Sequence, residues 1–209
     1  MKAAVIQQNG GPEALHCEDL PDPVCADDGV AIEVETVSIE GGDLLARLMT
    51  PPASASHVVG YIAAGTLRAI RAKVRGRTLG ERVVTLAANG SHAQQRAASA
   101  AMVWAIPDGL STRRAAWVPV AFGTAHECLF NAGDLQKGQT VLIHARRALR
   151  PVLQAEYPRA HALVADCLTR VASGELRVEI AKVFARSEAA QAHTYVEGRH
   201  AFGRVVMTT

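Results

Sequence analysis

The chain has 209 residues, a hydrophobic content of 49% and a formal net charge of +2 at pH 7. This hydrophobic content suffices for a packed globular core. A charge so close to zero indicates neither a nucleic-acid-binding protein nor a protein of anionic membrane surfaces. No apolar run reaches the ~18 residues of a membrane span. Residues 1–6 predict a strand rather than a basic and apolar leader, so we expect a cytoplasmic protein with reduced cysteines.

The first half of the chain predicts short strands separated by turn signals, a pattern typical of a small β-barrel. These strands cover residues 1–7, 15–19, 30–37, 58–67, 81–86, 94–98 and 103–107. Residues 30–37 alternate apolar and polar side chains, which predicts a half-buried antiparallel strand. Asp43 is well placed to cap a short helix over residues 41–47.

The second half predicts helices with fewer strands. Ser111 is a good N-cap for a helix that Pro119 interrupts. Apolar residues recur with helical spacing from Ala160 to Val171, which predicts an amphipathic helix that ends at Gly174. The other predicted elements are a helix over residues 120–132, a strand over 139–145, a strand over 176–180, a helix over 187–198 and a strand over 204–207.

A break follows the predicted strand at residues 139–145, which has the composition of a buried parallel strand. Such a strand usually leads into a glycine-rich turn and a helix, but residues 146–158 begin with Arg146 and Arg147 and contain no glycine. A single βαβ unit needs ~30 residues. No dinucleotide-binding sheet therefore fits between this strand and the next predicted helix.

Short motifs in a specific order cover nearly all of the chain except residues 146–158. They occupy residues 1–5, 37–43, 59–66, 79–83, 118–125, 135–144, 187–193 and 203–206. Together they resemble the medium-chain dehydrogenase/reductase superfamily, and within it the zinc-independent quinone oxidoreductases. The resemblance implies an α+β fold, mostly β, in which a GroES-like barrel is the catalytic domain. It also implies a Rossmann domain, inserted near the C-terminus, with NADPH in the cleft between the two.

In this chain the Rossmann domain is deleted, and the resemblance implies a specific domain organisation. Residues 1–145 are the first part of the GroES-like domain and end in a remnant strand of the lost domain. Residues 146–158 are a bridging linker, and residues 159–209 complete the same domain. Because Arg146 and Arg147 stand where the family has glycines, their side chains would obstruct the pyrophosphate. We therefore expect no bound cofactor, although two arginines could still hold a phosphate by charge.

No metal site is expected. The four cysteines form no CxxC pair, which excludes a four-thiolate structural zinc on spacing. Zinc-dependent relatives use a cysteine early in the barrel and a later His-Glu pair, where this chain has residues 38–40 (Ser-Ile-Glu) and 60–61 (Gly-Tyr). His57, His92 and His126 are scattered along the sequence.

Glu40 is the first candidate catalytic residue. At its position the family commonly has an asparagine near the substrate and the nicotinamide. A carboxylate in a partly apolar cleft is favoured in its neutral form by desolvation, which suits it to proton transfer near neutral pH. The alternative is a solvent-facing glutamate that the loss of the other domain has exposed.

Further candidates come from the same resemblance. Tyr61 could donate a hydrogen bond to a carbonyl, and His92 and His126 have the right unperturbed pKa for acid/base work, although each of the three could instead be structural. The candidate substrate-binding residues are Thr124, which matches a threonine lining the family's cleft, together with Phe122 and Asn89.

Three functions remain open from the sequence. The first is a cofactor-independent enzyme, an isomerase, dehydratase/lyase or cyclase, that moves protons on an enone- or polyketide-like small molecule. The second is a non-catalytic binding or scaffold protein, or a complex subunit. The third is an NADPH-dependent quinone or enoyl reductase whose cofactor site lies outside this chain.

Apolar Val141, Leu142 and Ile143 would leave an open strand edge in water, which predicts a homodimer.

Overall fold

Ten strands and five α-helices make up the part of the chain that the computed structural model describes, residues 1–142, 157–199 and 202–208. The strands are β1 (Lys2–Ile6), β2 (His16–Asp19), β3 (Gly29–Ser38), β4 (His57–Val58), β5 (Ile62–Ile70), β6 (Arg82–Leu86), β7 (Gln95–Ser99), β8 (Val103–Ala105), β9 (Ile180–Ala185) and β10 (Arg204–Thr208). The helices are α1 (Gly41–Met49), α2 (Thr112–Ala115), α3 (Val118–His126), α4 (Tyr157–Ala172) and α5 (Ala189–Glu197). Single turns of 3₁₀ helix cover Pro12–Ala14, Ala100–Met102 and Arg186–Glu188, and a π-helical turn covers Glu127–Asn131.

The strands form two sheets. A three-stranded sheet has the order β2-β1-β4, and a seven-stranded sheet has the order β8-β6-β5-β3-β10-β9, with β7 also paired to β3. The pairing is antiparallel except between β9 and β10, which are parallel and joined through α5. Strand β3 lies at the centre because it pairs with β5 along nearly its whole length and with β7 and β10 in different parts of it. The end of β3 next to β10 carries the candidate site.

Two apolar clusters make up most of the core. One lies between the central strands and α5 and includes Ile32, Leu67 and Met207. The other lies between the large sheet and α2, α3 and α4, and includes Trp104 and Leu168. The α4 residues with helical spacing are those that this second cluster buries, as the sequence pattern predicts. Packing of α3 and α4 against the sheet therefore fixes the wall of the cleft described below.

The α+β fold and most of its predicted elements are confirmed, but several boundaries differ. The predicted strand over residues 176–180 is wrong: the strand is β9, Ile180–Ala185, and its bounds are set by parallel pairing with β10. Pro119 does not interrupt a helix but lies in the first turn of α3, where its missing N–H costs no hydrogen bond. The predicted helix over residues 120–132 passes into the π-helical turn after His126.

The segment around the sequence break is only partly described. Residues 139–142 carry no strand, and residues 143–145 of the predicted strand lie outside the described residues. The predicted linker over residues 146–158 also lies outside them, apart from the start of α4 at Tyr157. None of the helices within the described ranges is long and apolar enough to cross a membrane.

Candidate functional site

Glu40 and Arg204 face one another where β3 and β10 meet. The two strands are antiparallel with Ser38 opposite Val206, and the pairing extends beyond β3 because the Ile39 N–H donates to the Val205 carbonyl at 3.2 Å. One further step in this register brings Glu40 opposite Arg204. Glu40 is buried, with 6% of its surface exposed, whereas Arg204 is partly exposed. The acid therefore lies behind an arginine that reaches solvent.

Asp43 holds the first turn of α1 in place. Its Oδ2 accepts a hydrogen bond from the Glu40 backbone N–H at 2.7 Å, which is the capping role the sequence predicts. Its Oδ1 accepts from the Tyr61 backbone N–H at 3.0 Å. The Tyr61 hydroxyl in turn donates to the Gly42 carbonyl at 3.3 Å. These bonds fix Glu40, Asp43 and Tyr61 relative to one another.

Burial raises the pKa values of two carboxyl groups, those of Glu40 and Asp43, into the neutral range. Desolvation raises the pKa of Glu40 to about 8, helped by the nearby charge of Asp43 and opposed by Arg204 and by the Ser38 hydroxyl, which donates to Oε1 at 3.2 Å. Desolvation also raises the pKa of Asp43 to about 7, opposed by the two backbone N–H donors and by Arg96. Because Asp43 receives more donors, it is the group that ionises first. Just above neutral pH the pair therefore holds a mostly neutral Glu40 beside a partly ionised Asp43.

Arg96 supplies the buried positive charge behind Asp43. Its Nη1 donates to the Tyr61 carbonyl at 2.7 Å and to Thr85 Oγ1 at 3.3 Å, and its Nη2 donates to the Asn89 carbonyl at 2.8 Å. Its Nε is buried without a hydrogen-bond partner among the described residues. Burial lowers the pKa of Arg96 to about 9, and Asp43 opposes this shift. Arg96, on β7, thus joins the residue before β5 to β6 and to the turn that follows β6.

A cleft of about 310 Å³ opens beside Arg204. Its lining includes Trp117 and Phe122 from the α3 region, Arg177 from the segment before β9, and Arg204. The Arg204 guanidinium carbon lies 4.7 Å from the centroid of the Trp117 ring, a cation–π arrangement. The cleft therefore presents a positive charge held over an aromatic surface.

The structure brings some of the predicted site residues together. Backbone N–H groups of Glu40 and of the half-buried Tyr61 both donate to Asp43 in the first turn of α1, and Phe122 lines the cleft. Thr124 is half-buried on α3. The His126 ring lies 5.0 Å from the Phe130 ring at the end of the same helix. Asn89 is exposed, and its carbonyl accepts from Arg96.

His92 lies in the interior instead. It is fully buried; its Nδ1 is 3.1 Å from Ser91 Oγ, and its Nε2 is 3.0 Å from His193 Nε2. His193 Nδ1 lies 3.5 Å from Arg47 Nη1, and Arg47 also pairs with Glu197. Burial lowers the pKa of both imidazoles, that of His193 to about 3. These hydrogen bonds give His92 a structural reason to be buried and neutral.

Two arginines were missed by sequence reasoning. Arg96 lies in a predicted strand, where period-two alternation puts it on the same side as the buried Ala98. That alternation was the available signal for a buried charge. Arg204 begins the last strand, and only the pairing of β10 with β3 brings it to Glu40.

The described residues do not fit a metal ion. Within them, no group of three or more His, Cys, Asp or Glu side chains is arranged as a metal site. The two histidines closest to each other, His92 and His193, share their neighbourhood with the Arg47 guanidinium, whose charge opposes a cation. We therefore derive no chemistry from a metal.

Comparison with known proteins identifies related chains. A family model described as zinc-binding dehydrogenase matches residues 27–207. A highly reducing polyketide synthase from Didymella fabae is 32% identical over 131 residues, which are 63% of this chain and 7% of that protein. A synaptic vesicle membrane protein VAT-1 homolog-like from Mus musculus is 29% identical over 147 residues, 69% of this chain and 35% of that protein. The chain thus spans only a minor part of the length of these relatives.

Solved structures share the fold at low sequence identity. The human synaptic vesicle membrane protein VAT-1 homolog-like protein has a TM-score of 0.88 and 16% identity, with coverage of 100% of this chain and 98% of that one. The Escherichia coli quinone oxidoreductase complexed with NADPH has a TM-score of 0.83 and 14% identity, with 100% of both chains covered. At these identities the similarity is one of fold.

Proposed function

The chain belongs to the zinc-binding dehydrogenase family of the medium-chain dehydrogenase/reductase superfamily, and we propose that it is a cofactor-independent enzyme of proton transfer. The proposed reaction is an isomerisation of an enone- or polyketide-like small molecule, with dehydration and cyclisation as reactions of the same enolate. The observation that carries this proposal is the buried Glu40–Asp43 pair, whose pKa values of about 8 and about 7 lie near neutral pH and whose Glu40 lies opposite Arg204, a residue that lines the cleft.

The absence of a nicotinamide site in this chain is part of the proposal. Only residues 143–156 separate Leu142 from α4, and a βαβ unit needs ~30 residues. Arg146 and Arg147 stand where the family's glycine-rich turn would approach a pyrophosphate. We therefore derive no step through NADPH, and the chemistry that remains is redox-neutral.

Glu40 is the proposed proton carrier. In its ionised form it takes a proton from a carbon beside a carbonyl: the C–H bond breaks, an O–H bond forms on the carboxyl, and the electron pair passes into the enolate. The same carboxyl returns the proton to another carbon of the enolate, so a double bond moves and no electrons are gained or lost. A pKa of about 8 suits this cycle, because both forms of Glu40 are accessible near neutral pH.

Neighbouring groups support this role. The charge of Arg204, opposite Glu40, favours negative charge on a bound substrate. Tyr61 is the proposed donor to a substrate carbonyl, which would take the place of the Gly42 carbonyl that its hydroxyl donates to at 3.3 Å. Phe122 and Thr124 on α3 are the proposed substrate-binding residues, and Phe122 lines the cleft. His126 and Asn89 remain weaker candidates, because no described contact joins either side chain to Glu40.

A substitution of Glu40 tests the proposal. Wild type should convert a β,γ-unsaturated ketone to its conjugated isomer, with incorporation of deuterium from D₂O followed by NMR. Glu40→Gln should reduce this rate by about 10²–10⁴-fold, the usual contribution of a general acid–base group. Glu35→Gln is the matched control, since Glu35 lies exposed on β3, the strand before Glu40, and accepts a hydrogen bond from Thr66. Equal rates in wild type and Glu40→Gln would show that Glu40 does not carry the proton.

The competing function is that of a reductase. It is favoured by the fold shared with the quinone oxidoreductase that is complexed with NADPH. Titration of the purified chain with NADPH, followed by calorimetry, separates the two. We expect no saturable binding; saturable binding at micromolar NADPH would instead support a reductase. A chain that neither exchanges protons nor binds NADPH would be better described as a binding or scaffold protein.

The proposed assembly is a homodimer. The side chains of Val141 and Leu142 are 47% and 77% exposed in the described structure, and exposed apolar chain favours association. Light scattering should therefore give a dimer for wild type and a monomer for the double variant Val141→Glu/Leu142→Glu. A monomeric wild type would contradict the proposal.

A further inference from the structure

Arg204 carries a charge that the described residues leave without an ion pair. Its guanidinium lies over the Trp117 ring and lines the cleft. The carboxyl it faces, Glu40, holds its proton at neutral pH and so does not neutralise it. Within residues 1–142, 157–199 and 202–208, Arg204 forms no salt bridge with any carboxylate. The cleft therefore offers a positive charge to a ligand.

The rest of the cleft is aromatic and carries an excess of positive charge. Trp117, Phe122 and Phe202 all line it. Arg177 adds a second cation and Glu179 the one acidic side chain among the lining residues. Flat aromatic walls with one fixed cation favour a flat, anionic molecule.

We propose that this cleft binds a planar, conjugated carboxylate, with its carboxylate on Arg204 and its unsaturated body against Trp117 and Phe122. The inference rests on the proposed function, because it names the substrate class of the same site. A carboxylate matches the two parallel N–H donors of a guanidinium better than a neutral carbonyl does. A volume of about 310 Å³ suits a molecule of one ring and a short unsaturated chain.

This placement gives the proton transfer a direction. Glu40 is buried and does not itself line the cleft, but it lies opposite Arg204 across the two strands. The proposed placement therefore puts the adjacent carbon of the ligand on the Glu40 side of Arg204. Glu40 would remove a proton from this α-carbon of a β,γ-unsaturated acid. The electron pair passes into the carboxylate, where Arg204 stabilises it, and Glu40 returns the proton at the γ-carbon. The product is the α,β-unsaturated acid, with all atoms and electrons conserved.

Binding of cinnamate to the purified chain tests the inference without any turnover. Calorimetry should show saturable binding of cinnamate and at least tenfold weaker binding of cinnamamide, which has the same shape without the charge. Arg204→Met should weaken cinnamate binding by at least about tenfold, as expected for the loss of a charge-assisted pair, and Arg204→Lys should be intermediate. Arg68→Met is the control, because Arg68 is exposed on β5 and paired with Glu33.

Several outcomes would overturn the inference. Equal binding of cinnamate and cinnamamide would show that charge is not recognised. Unchanged cinnamate binding in Arg204→Met would show that another group holds the anion. Displacement of cinnamate by equimolar inorganic phosphate would show a general anion site. Melting curves establish that each variant is folded, and Arg204→Lys gives the same comparison if Arg204→Met is not.

Glu40→Gln separates this inference from the proposed function. The variant should bind cinnamate as wild type does and fail to exchange protons. Cinnamate binding that depends on Arg204, in a wild-type chain without any isomerase activity, would support the ligand class and reject the reaction. Isomerase activity on the neutral ketone with no cinnamate binding would support the reaction and reject the ligand class.

Discussion

The Nε2 atoms of His92 and His193 lie 3.0 Å apart in the interior of the protein. This contact joins the turn after β6 to α5, two segments far apart in the sequence. One of the two imidazoles must donate through Nε2 and the other must accept, so the two tautomers are complementary. Ser91 and Arg47 extend the chain of polar groups at either end. The network therefore joins α5 to the turn after β6 and, through Arg47, to α1.

Removal of His193 tests this network. His193→Ala leaves His92 Nε2 without its partner and also removes a contact of the buried Arg47. An unsatisfied buried polar group costs about 1–3 kcal/mol, so the free energy of unfolding should fall by at least that amount. Urea denaturation measures it. His16→Ala is the control, because His16 is an exposed histidine whose replacement should cost less than about 0.5 kcal/mol. Equal stability of the two variants would remove the structural role given to the network.

The close approach of α1 to Tyr61 depends on Gly42. A Cβ at this position would lie well within 3.0 Å of Tyr61 Cε2, so the ring or the helix must move. Gly42→Ala should therefore destabilise the protein by about 1–3 kcal/mol, the usual cost of overpacking. It should also impair proton transfer by displacing Glu40.

Gly41 provides the matched control for this change. A Cβ at Gly41 meets nothing within 4 Å, and alanine favours helix over glycine by up to about 1 kcal/mol. Gly41→Ala should thus be neutral or slightly stabilising in the same urea experiment. A Gly42→Ala variant as stable as Gly41→Ala would mean that the ring adapts without cost.

The fold was predictable wherever local pattern determines the structure. Alternation over residues 30–37 predicted the strand β3, although the strand is buried except at Glu33 and Glu35 rather than half-buried. Helical spacing predicted the buried face of α4, because the periodicity of that helix is local. The strand predicted at residues 176–180 failed because β9 is fixed by its partner. Its limits follow the parallel pairing with β10, which is far along the chain. The pattern of apolar residues within one segment contains no information about the strand with which that segment pairs.

The site was predictable only in part for the same reason. Glu40 and Tyr61 were selected from resemblance, and hydrogen bonds of the first turn of α1 join them. Arg204 was missed because its position opposite Glu40 depends on the pairing of β3 with β10. His92 was expected in the cleft because nothing local to its sequence indicates that its ring meets His193.

The raised pKa values of Glu40 and Asp43 predict a stability that depends on pH. In the folded chain these groups have a pKa of about 8 and about 7, against 4.5 and 3.8 for the free side chains. Because folding raises both values, the folded state binds more protons than the unfolded state between these limits. Their contribution to stability is therefore fully present at acidic pH, below the unfolded values, and is lost as pH rises through 7 and 8.

The buried histidines shift stability in the opposite direction, which defines the pH window for the experiment. Their pKa values lie below the ordinary 6.5, so their contribution is present above pH 6.5 and is lost on acidification. Of Glu40, Asp43, His92 and His193, only the two carboxyl groups therefore change the free energy of unfolding above pH 6.5. The free energy of unfolding should therefore fall between pH 6.5 and about 8, by up to about 1.4 kcal/mol per pH unit for each carboxyl still protonated only in the folded state.

Glu40→Gln should flatten this fall in stability, because an amide does not titrate. Urea denaturation of wild type and variant at several pH values across the window measures the two slopes. Glu35→Gln should retain the wild-type slope, since Glu35 is exposed on β3. Because Asp43 ionises first, the slope that remains in Glu40→Gln should be confined to the lower part of the window, near pH 7. Parallel slopes in wild type and Glu40→Gln would show that Glu40 does not titrate near neutral pH, and the proton-transfer proposal would then lose the two accessible protonation states on which it depends.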